Sequence, residues 1–129
     1  MTAGYSGTPL PRKLGVNQDS RVLVINAPEG FDPGASFHRR AGREPYDVVV
    51  LFCLDTATLH RQFQAAAARH TTAGMIWVCW PKRASGLRTD LNENVVRDYG
   101  LARGQVDVKV AAIDTTWSGL KFVTRLVDR

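Results

Sequence analysis

The chain has 129 residues, 44% of them hydrophobic and 22% charged, a profile that excludes a disordered, collagenous or disulfide-scaffold protein. Seventeen Lys and Arg against twelve Asp and Glu give a formal charge of +5, which favours encounter with anions, yet no block of five or six like charges marks a nucleic-acid tail. The longest apolar run, residues 48–54, falls far below the roughly 20 residues needed to cross a bilayer. Residues 1–17 lack a signal-peptide core, so the cytoplasm is the expected location.

Pattern and punctuation predict one domain over residues 1–129. Residues 1–17 form an extended N-terminal arm rich in Gly, Ser and Pro, with a helical turn at 13–16 ended by Gly15. Residues 21–26 (RVLVIN) are apolar at consecutive positions, the signature of a strand buried on both faces. A loop with two prolines and two glycines follows, and 37–39 can add a short strand. Residues 47–54 (DVVVLFCL) give the second buried strand. Asp55-Thr56 caps a helix over 57–70, whose Leu59, Phe63 and Ala66 or Ala67 fall at helical spacing. Residues 75–80 (MIWVCW) are the third buried strand, stopped by Pro81. After a basic Gly/Ser loop at 82–88, Asp90 with Glu93 three residues on predicts a capped helix over 91–99 that stops at Gly100. Residues 106–113 and 120–126, joined by DTTWSG at 114–119, read as an antiparallel hairpin.

Buried strands alternating with helices, then a hairpin, specify an α/β fold: a three-layer Rossmann-like sandwich with a mainly parallel sheet and a C-terminal antiparallel pair. Ligands of such sheets bind outside the carboxyl ends of the strands, where residues 26–29, 53–56 and 80–83 gather. Asn26, Glu29, Asp55 and Trp80 are the crevice candidates. The first turn, Asn26-Ala27-Pro28-Glu29-Gly30, has no G-x-G, and Pro28 removes a backbone donor, so a standard phosphate cradle does not form there. Lys82, Arg83, Ser85, Gly86 and Arg88 make an anion candidate, because cations and flexible backbone donors stand just ahead of a helix N-terminus; a solvated loop before a capped helix is the plainer reading. Trp117 either stacks on a ligand ring or anchors a partner, or folds back on the sheet. Cys53 and Cys79 sit in apolar runs and are expected to be buried thiols. No zinc spacing exists. Ser6, Ser85 and Ser118 lack a nucleophile elbow, and His38, His60 and His70 read as surface residues, so no catalytic residue is assigned.

Nearly the whole chain resembles a small bacterial family defined by a domain of unknown function. The resemblance runs through AGYSGTPL at 3–10, KLG at 13–15, NAP at 26–28, WPK at 80–82, TDLNENVVR at 89–97 and VDVKVAAIDTTWSGLKFV at 106–123. The order of segments is similar to a reduced class I methyltransferase fold, whose sheet ends in an antiparallel pair, although the glycine-rich first loop and an acidic ribose-binding strand are lacking. Three functions are compatible with these residues. The first is a non-catalytic domain that binds an anionic small molecule or a partner protein through Lys82, Arg83, Ser85, Arg88 and Trp117, with no cofactor. The alternative is a divergent S-adenosylmethionine-dependent methyltransferase-like enzyme working through Asn26, Glu29, Asp55 and Trp80. A nucleic-acid-binding module ranks last, since aromatics do not interleave with a basic stripe. The arm at 3–11 can dock across the crevice or onto a second subunit of a homo-oligomer.

Overall fold

The computed structural model describes residues 7–128; the start of the expected arm, residues 1–6, lies outside them. Three β-branched runs build the centre of a six-stranded sheet. β1 (Val22–Ile25), β3 (Tyr46–Phe52) and β4 (His70–Pro81) run parallel, β2 (Phe37–His38) joins β1 at one edge, and β5 (Gln105–Ala112) and β6 (Trp117–Thr124) close the other as an antiparallel hairpin. The spatial order is β2-β1-β3-β4-β6-β5, with β6 antiparallel to β4. Val22 to Val24 and Val48 to Phe52 are buried at every position, as expected of strands covered on both faces.

The covering layers are unequal. On one face α2 (Thr56–Ala67) and α3 (Glu93–Ala102) pack Leu59, Phe63, Ala66 and Val96 against Leu23, Val49, Leu51, Ile76 and Val78. On the other, the short α1 (Leu10–Leu14) and the loops after β1 and β5 supply the cover, with Leu14, Val16, Phe31 and Trp117 over Val24, Val50, Phe52 and Trp77. The third layer is thus five helical residues and two loops.

The predicted arm of 1–17 is helical at Leu10–Leu14, three residues earlier than the expected turn, with Gly15 in the left-handed conformation as its C-cap. Pro11 lies near the helix start, where its missing N–H has no intrahelical partner to lose. β4 begins at His70, five residues before the expected strand, because its polar start pairs His70 with Tyr46 across an irregular register. His70 is a buried residue and not a surface one: its ring nitrogens meet the Thr71 carbonyl at 2.6 Å and Gln105 Oε1 at 2.9 Å.

α3 starts and ends later than its sequence signals. Asn92 caps it, its Oδ1 accepting from Val95 N at 2.9 Å, whereas Asp90 is engaged elsewhere: its Oδ1 accepts from Thr56 N at 2.8 Å, at the start of α2. Gly100 lies inside the helix and does not stop it. A Cβ there would fall 2.2 Å from Phe122 Cε1, so this glycine serves the close approach of α3 to β6.

Segment 30–45 holds only the two-residue β2 and no helix. His38 pairs with Leu23, two residues short of the end of β1. β2 therefore stops before the carboxyl edge of the sheet. Tyr46 explains the short excursion: its hydroxyl takes a hydrogen bond from Gly42 N at 2.8 Å and meets His38 Nδ1 at 2.6 Å, closing the return loop. Among the described residues no helix is long and apolar enough to cross a membrane.

Candidate functional site

From β1 the chain moves outward to β2 and then returns to the opposite side of β1 as β3. This reversal makes the carboxyl ends of β1 and β3 the switch point of the sheet, where open α/β folds hold ligands. A cleft of about 390 Å³ lies there, lined by Asn26 and Pro28 after β1, Phe52 and Leu54 at the end of β3, Thr58 and Arg61 on α2, and Trp117 from the start of β6. Its volume lies in the small-ligand range.

Its walls are braced by identifiable contacts. Phe52 sits between Phe31 at 4.9 Å and Trp117 at 5.0 Å, both rings edge-on to it. Asp114 Oδ1 accepts from the amides of Thr116 and Trp117 at 2.8 Å each, which tightens the β5–β6 turn. Trp117 thereby folds back and is buried, as the tight-turn reading of 114–119 expects. Asn26 has φ 61°, the one non-glycine residue with positive φ among those described, at a cost of order 1 kcal/mol that clusters at functional sites. Its Nδ2 donates to the Phe52 carbonyl at 3.0 Å and to Gln62 Oε1 at 2.6 Å, tying the end of β1 to β3 and α2. Asn26 Oδ1 accepts no hydrogen bond among the described residues.

The N-terminus of α2 borders this cleft, and two carboxylates have already taken its Thr56 and Thr58 amides. Asp55 Oδ1 accepts from Thr58 N at 2.8 Å, and Asp90 serves Thr56 N. The Thr58 hydrogen bonds hold the Asp55 pKa below the usual carboxylate range, and those from Thr56 do the same for Asp90. Their stabilisation is therefore present above the unfolded carboxylate pKa of about 3.9 and is lost as pH falls through the lowered folded values. The stability difference between wild type and Asp90→Asn is expected to be largest near pH 7 and to close below about pH 4, as read by denaturant unfolding at each pH; a gap independent of pH would contradict this.

A second cleft, of about 620 Å³, opens beyond β4 between the 82–92 loop and the terminal hairpin. Trp80, Lys82, Arg83 and Arg88 line it together with Leu87, Leu91 and Val110. The sequence candidates thus divide. Asn26 and Trp117 reach the first cleft, and Lys82, Arg83, Arg88 and Trp80 the second. Ser85 and Gly86 line neither: Ser85 Oγ donates to the Lys82 carbonyl at 2.7 Å and accepts from Leu87 N at 3.1 Å, while Gly86 caps a 3-10 turn at Arg83–Ser85. Glu29 is exposed outside both clefts, and Asp55 is a helix cap. Lys82, Arg83, Ser85, Arg88 and Trp117, a single contact set by sequence, are not brought to one place. Pro28, Phe52, Leu54, Thr58 and Arg61 were not singled out by sequence; the spacing of Thr58 and Arg61, three residues apart on α2, is the helix-face signal that carries two of them.

Cys53, just past the end of β3, and Cys79, on the neighbouring β4, are buried thiols. Burial first, then the Asp55 charge, pushes the Cys53 thiol up to about 12, and burial raises Cys79 as well. Thiols so disfavoured from ionising are poor nucleophiles. Among the described residues no group of His, Cys, Asp and Glu could hold a metal ion.

Neither a family model nor a curated protein matches the chain. Solved structures do. The chain is similar to the DhpI–SAH complex at 9% identity and a TM-score of 0.52, covering 90% of this chain and 71% of that one. It also matches a protein described as a candidate methyltransferase from Pseudomonas syringae at 14% identity, covering 84% of this chain and 90% of that one, with a TM-score of 0.47 that adds nothing to the assignment. The fold is accordingly α/β and methyltransferase-like, with a mostly parallel six-stranded sheet and a C-terminal antiparallel pair.

Proposed function

We propose that the protein is a small methyltransferase-like enzyme that takes S-adenosylmethionine, or its demethylated product, in the cleft at the ends of β1 and β3. One observation carries this reading: an aromatic-walled cleft at the switch point adjoins a helix N-terminus already neutralised by Asp55 and Asp90. A helix N-terminus ordinarily attracts phosphate. Here two carboxylates hold the Thr56 and Thr58 amides and Pro28 offers no N–H, so phosphate at this terminus meets negative charge and fewer backbone donors. A cationic sulfonium meets the opposite situation. Phe52 and Trp117 line the cleft, and the parts of their rings that reach it attract such cations, with the Asp55 charge at the start of α2 adding to that attraction.

The lining fits the remainder of the ligand. Arg61 supplies a guanidinium for the amino-acid carboxylate, Leu54 and Pro28 give apolar surface for a base, and Thr58 and Asn26 Oδ1 provide polar partners for a sugar. Bound S-adenosylmethionine supplies a methyl group on positively charged sulfur. Arg61 is the one titratable residue of the lining, so the acceptor must arrive as an able nucleophile. The likeness to a complex with SAH, that demethylated product, supports this reading over the non-catalytic one.

SAH at 100 times its dissociation constant is expected to stabilise the protein by about 2.7 kcal/mol, and ATP and NAD to leave the melting temperature unchanged. Leu54, half exposed at the cleft rim, can be enlarged without touching the core, so Leu54→Trp is expected to abolish the SAH shift while the unliganded protein melts as wild type. Arg61→Gln is expected to weaken SAH about tenfold, or about 1.4 kcal/mol. A shift with ATP as large as that with SAH, or an undiminished shift in Leu54→Trp, would overturn the proposal.

A further inference from the structure

We infer that the cleft beyond β4 is a second ligand site, built for an anion carried on a flat apolar body, an aromatic carboxylate or an aryl phosphate. Its floor and rim differ in chemistry. Leu87 and Val110 supply apolar surface, backed by the buried Trp80 and Leu91, and Lys82, Arg83 and Arg88 stand around it. Leu87 and Val110 are 46% and 43% exposed, so the surface they offer is open to a partner ring.

The cations are uncommitted. The ion pairs among the described residues are those of Arg97, with Glu93 and Asp107, and they remove Glu93 from competition on the cleft's lining. Asp90, the other carboxylate of the lining, keeps its charge but accepts from Thr56 N and forms no ion pair among the described residues. Lys82, Arg83 and Arg88 thus face the cleft's contents without a carboxylate partner of their own. Ser85 fixes the loop that carries them, and Lys82 N donates to the Thr116 carbonyl at 2.7 Å, fastening it to the hairpin. Two guanidiniums and an ammonium on a fastened loop give a carboxylate or phosphate charge-assisted hydrogen bonds. The ring of the ligand is desolvated on Leu87 and Val110.

This site is separate from the first cleft and stands whatever that cleft takes. Calorimetry with 2-naphthyl phosphate, 2-naphthoate, inorganic phosphate and 2-naphthol tests it on the full chain. A naphthyl anion is expected to bind at least tenfold more tightly than inorganic phosphate or naphthol, and the two naphthyl anions decide between phosphate and carboxylate as the preferred head. Arg83→Gln with Arg88→Gln is expected to weaken it at least tenfold; Arg61→Gln is expected to leave it unchanged, which separates failure here from failure of the first cleft. The exposed pair Arg39→Gln with Arg40→Gln controls for net charge. Equal binding of naphthol, equal weakening by the control pair, or no binding of either naphthyl anion would overturn the inference.

Discussion

Replacing Trp77 by alanine is expected to destabilise the protein by about 3–5 kcal/mol, the usual cost of emptying a large buried aromatic site. Trp77 has no exposed surface and lies in the apolar cluster beneath α1. Its Nε1 also donates to the Leu14 carbonyl at 3.1 Å, one of the last carbonyls of α1, which has no helical partner. The indole therefore both fills the space and fastens the helix that covers it. Trp77→Phe separates these roles: it keeps most of the volume and leaves the Leu14 carbonyl unpaired, for about 1–3 kcal/mol. Denaturant unfolding reads both, and a loss below 1 kcal/mol for the alanine variant would show that the thin layer collapses onto the cavity. Because Trp117 and Phe52 belong to the same cluster, loosening it also loosens the wall of the first cleft.

Gly100→Ala sets two effects against each other. Alanine in a helix interior gains about 1 kcal/mol over glycine, and α3 would profit from it. The added Cβ, however, meets Phe122 Cε1 at 2.2 Å and Cζ at 2.5 Å, against an unstrained carbon separation of about 3.5–4.0 Å. The ring of Phe122 is fully buried and packs edge-on to Phe63 at 5.8 Å, so it has no free space into which to retreat. Overpacking of this kind outweighs propensity, and a net loss of about 1–3 kcal/mol is expected. Gly100→Ala combined with Phe122→Leu is expected to recover part of that loss, a coupling that a double-mutant cycle reads directly. A stabilised Gly100→Ala would mean that α3 slides freely over β6.

The contrast between Gly100 and Asn26 shows where sequence carries the fold and where it does not. The three β-branched runs that became β1, β3 and β4 are legible because burial on both faces demands consecutive apolar residues. The Asp55 cap and the Leu59, Phe63 and Ala66 stripe of α2 are local patterns as well, and the structure realises them. Errors arise where a residue answers to a distant partner. Asp90 has the spacing of a cap for α3, yet it serves the amide of Thr56, 34 positions away. Gly100 looks like a stop, yet it answers to Phe122. The candidate site shows the same division. Asn26 and Trp117 are identifiable from their place at strand ends, but Phe52 and Leu54 read as the end of a buried strand and Arg61 as a helix surface residue. Only the return of β3 to the other side of β1 makes them neighbours of Pro28. Lys82, Arg83 and Arg88 form a group in sequence and in space, and Trp117, assigned to them by sequence, packs on the other face of the sheet with Phe52 and Trp77.

The most direct test of the account is an amide and indole chemical-shift map of the protein titrated with SAH. Saturable shifts are expected at Asn26, Leu54, Thr58 and Arg61 and at the indole of Trp117, with the 82–92 loop unmoved. Shifts centred on Lys82, Arg83 and Arg88 instead, or a spectrum unchanged at millimolar ligand, would contradict the assignment of the cleft between β1 and β3 to an adenosyl ligand.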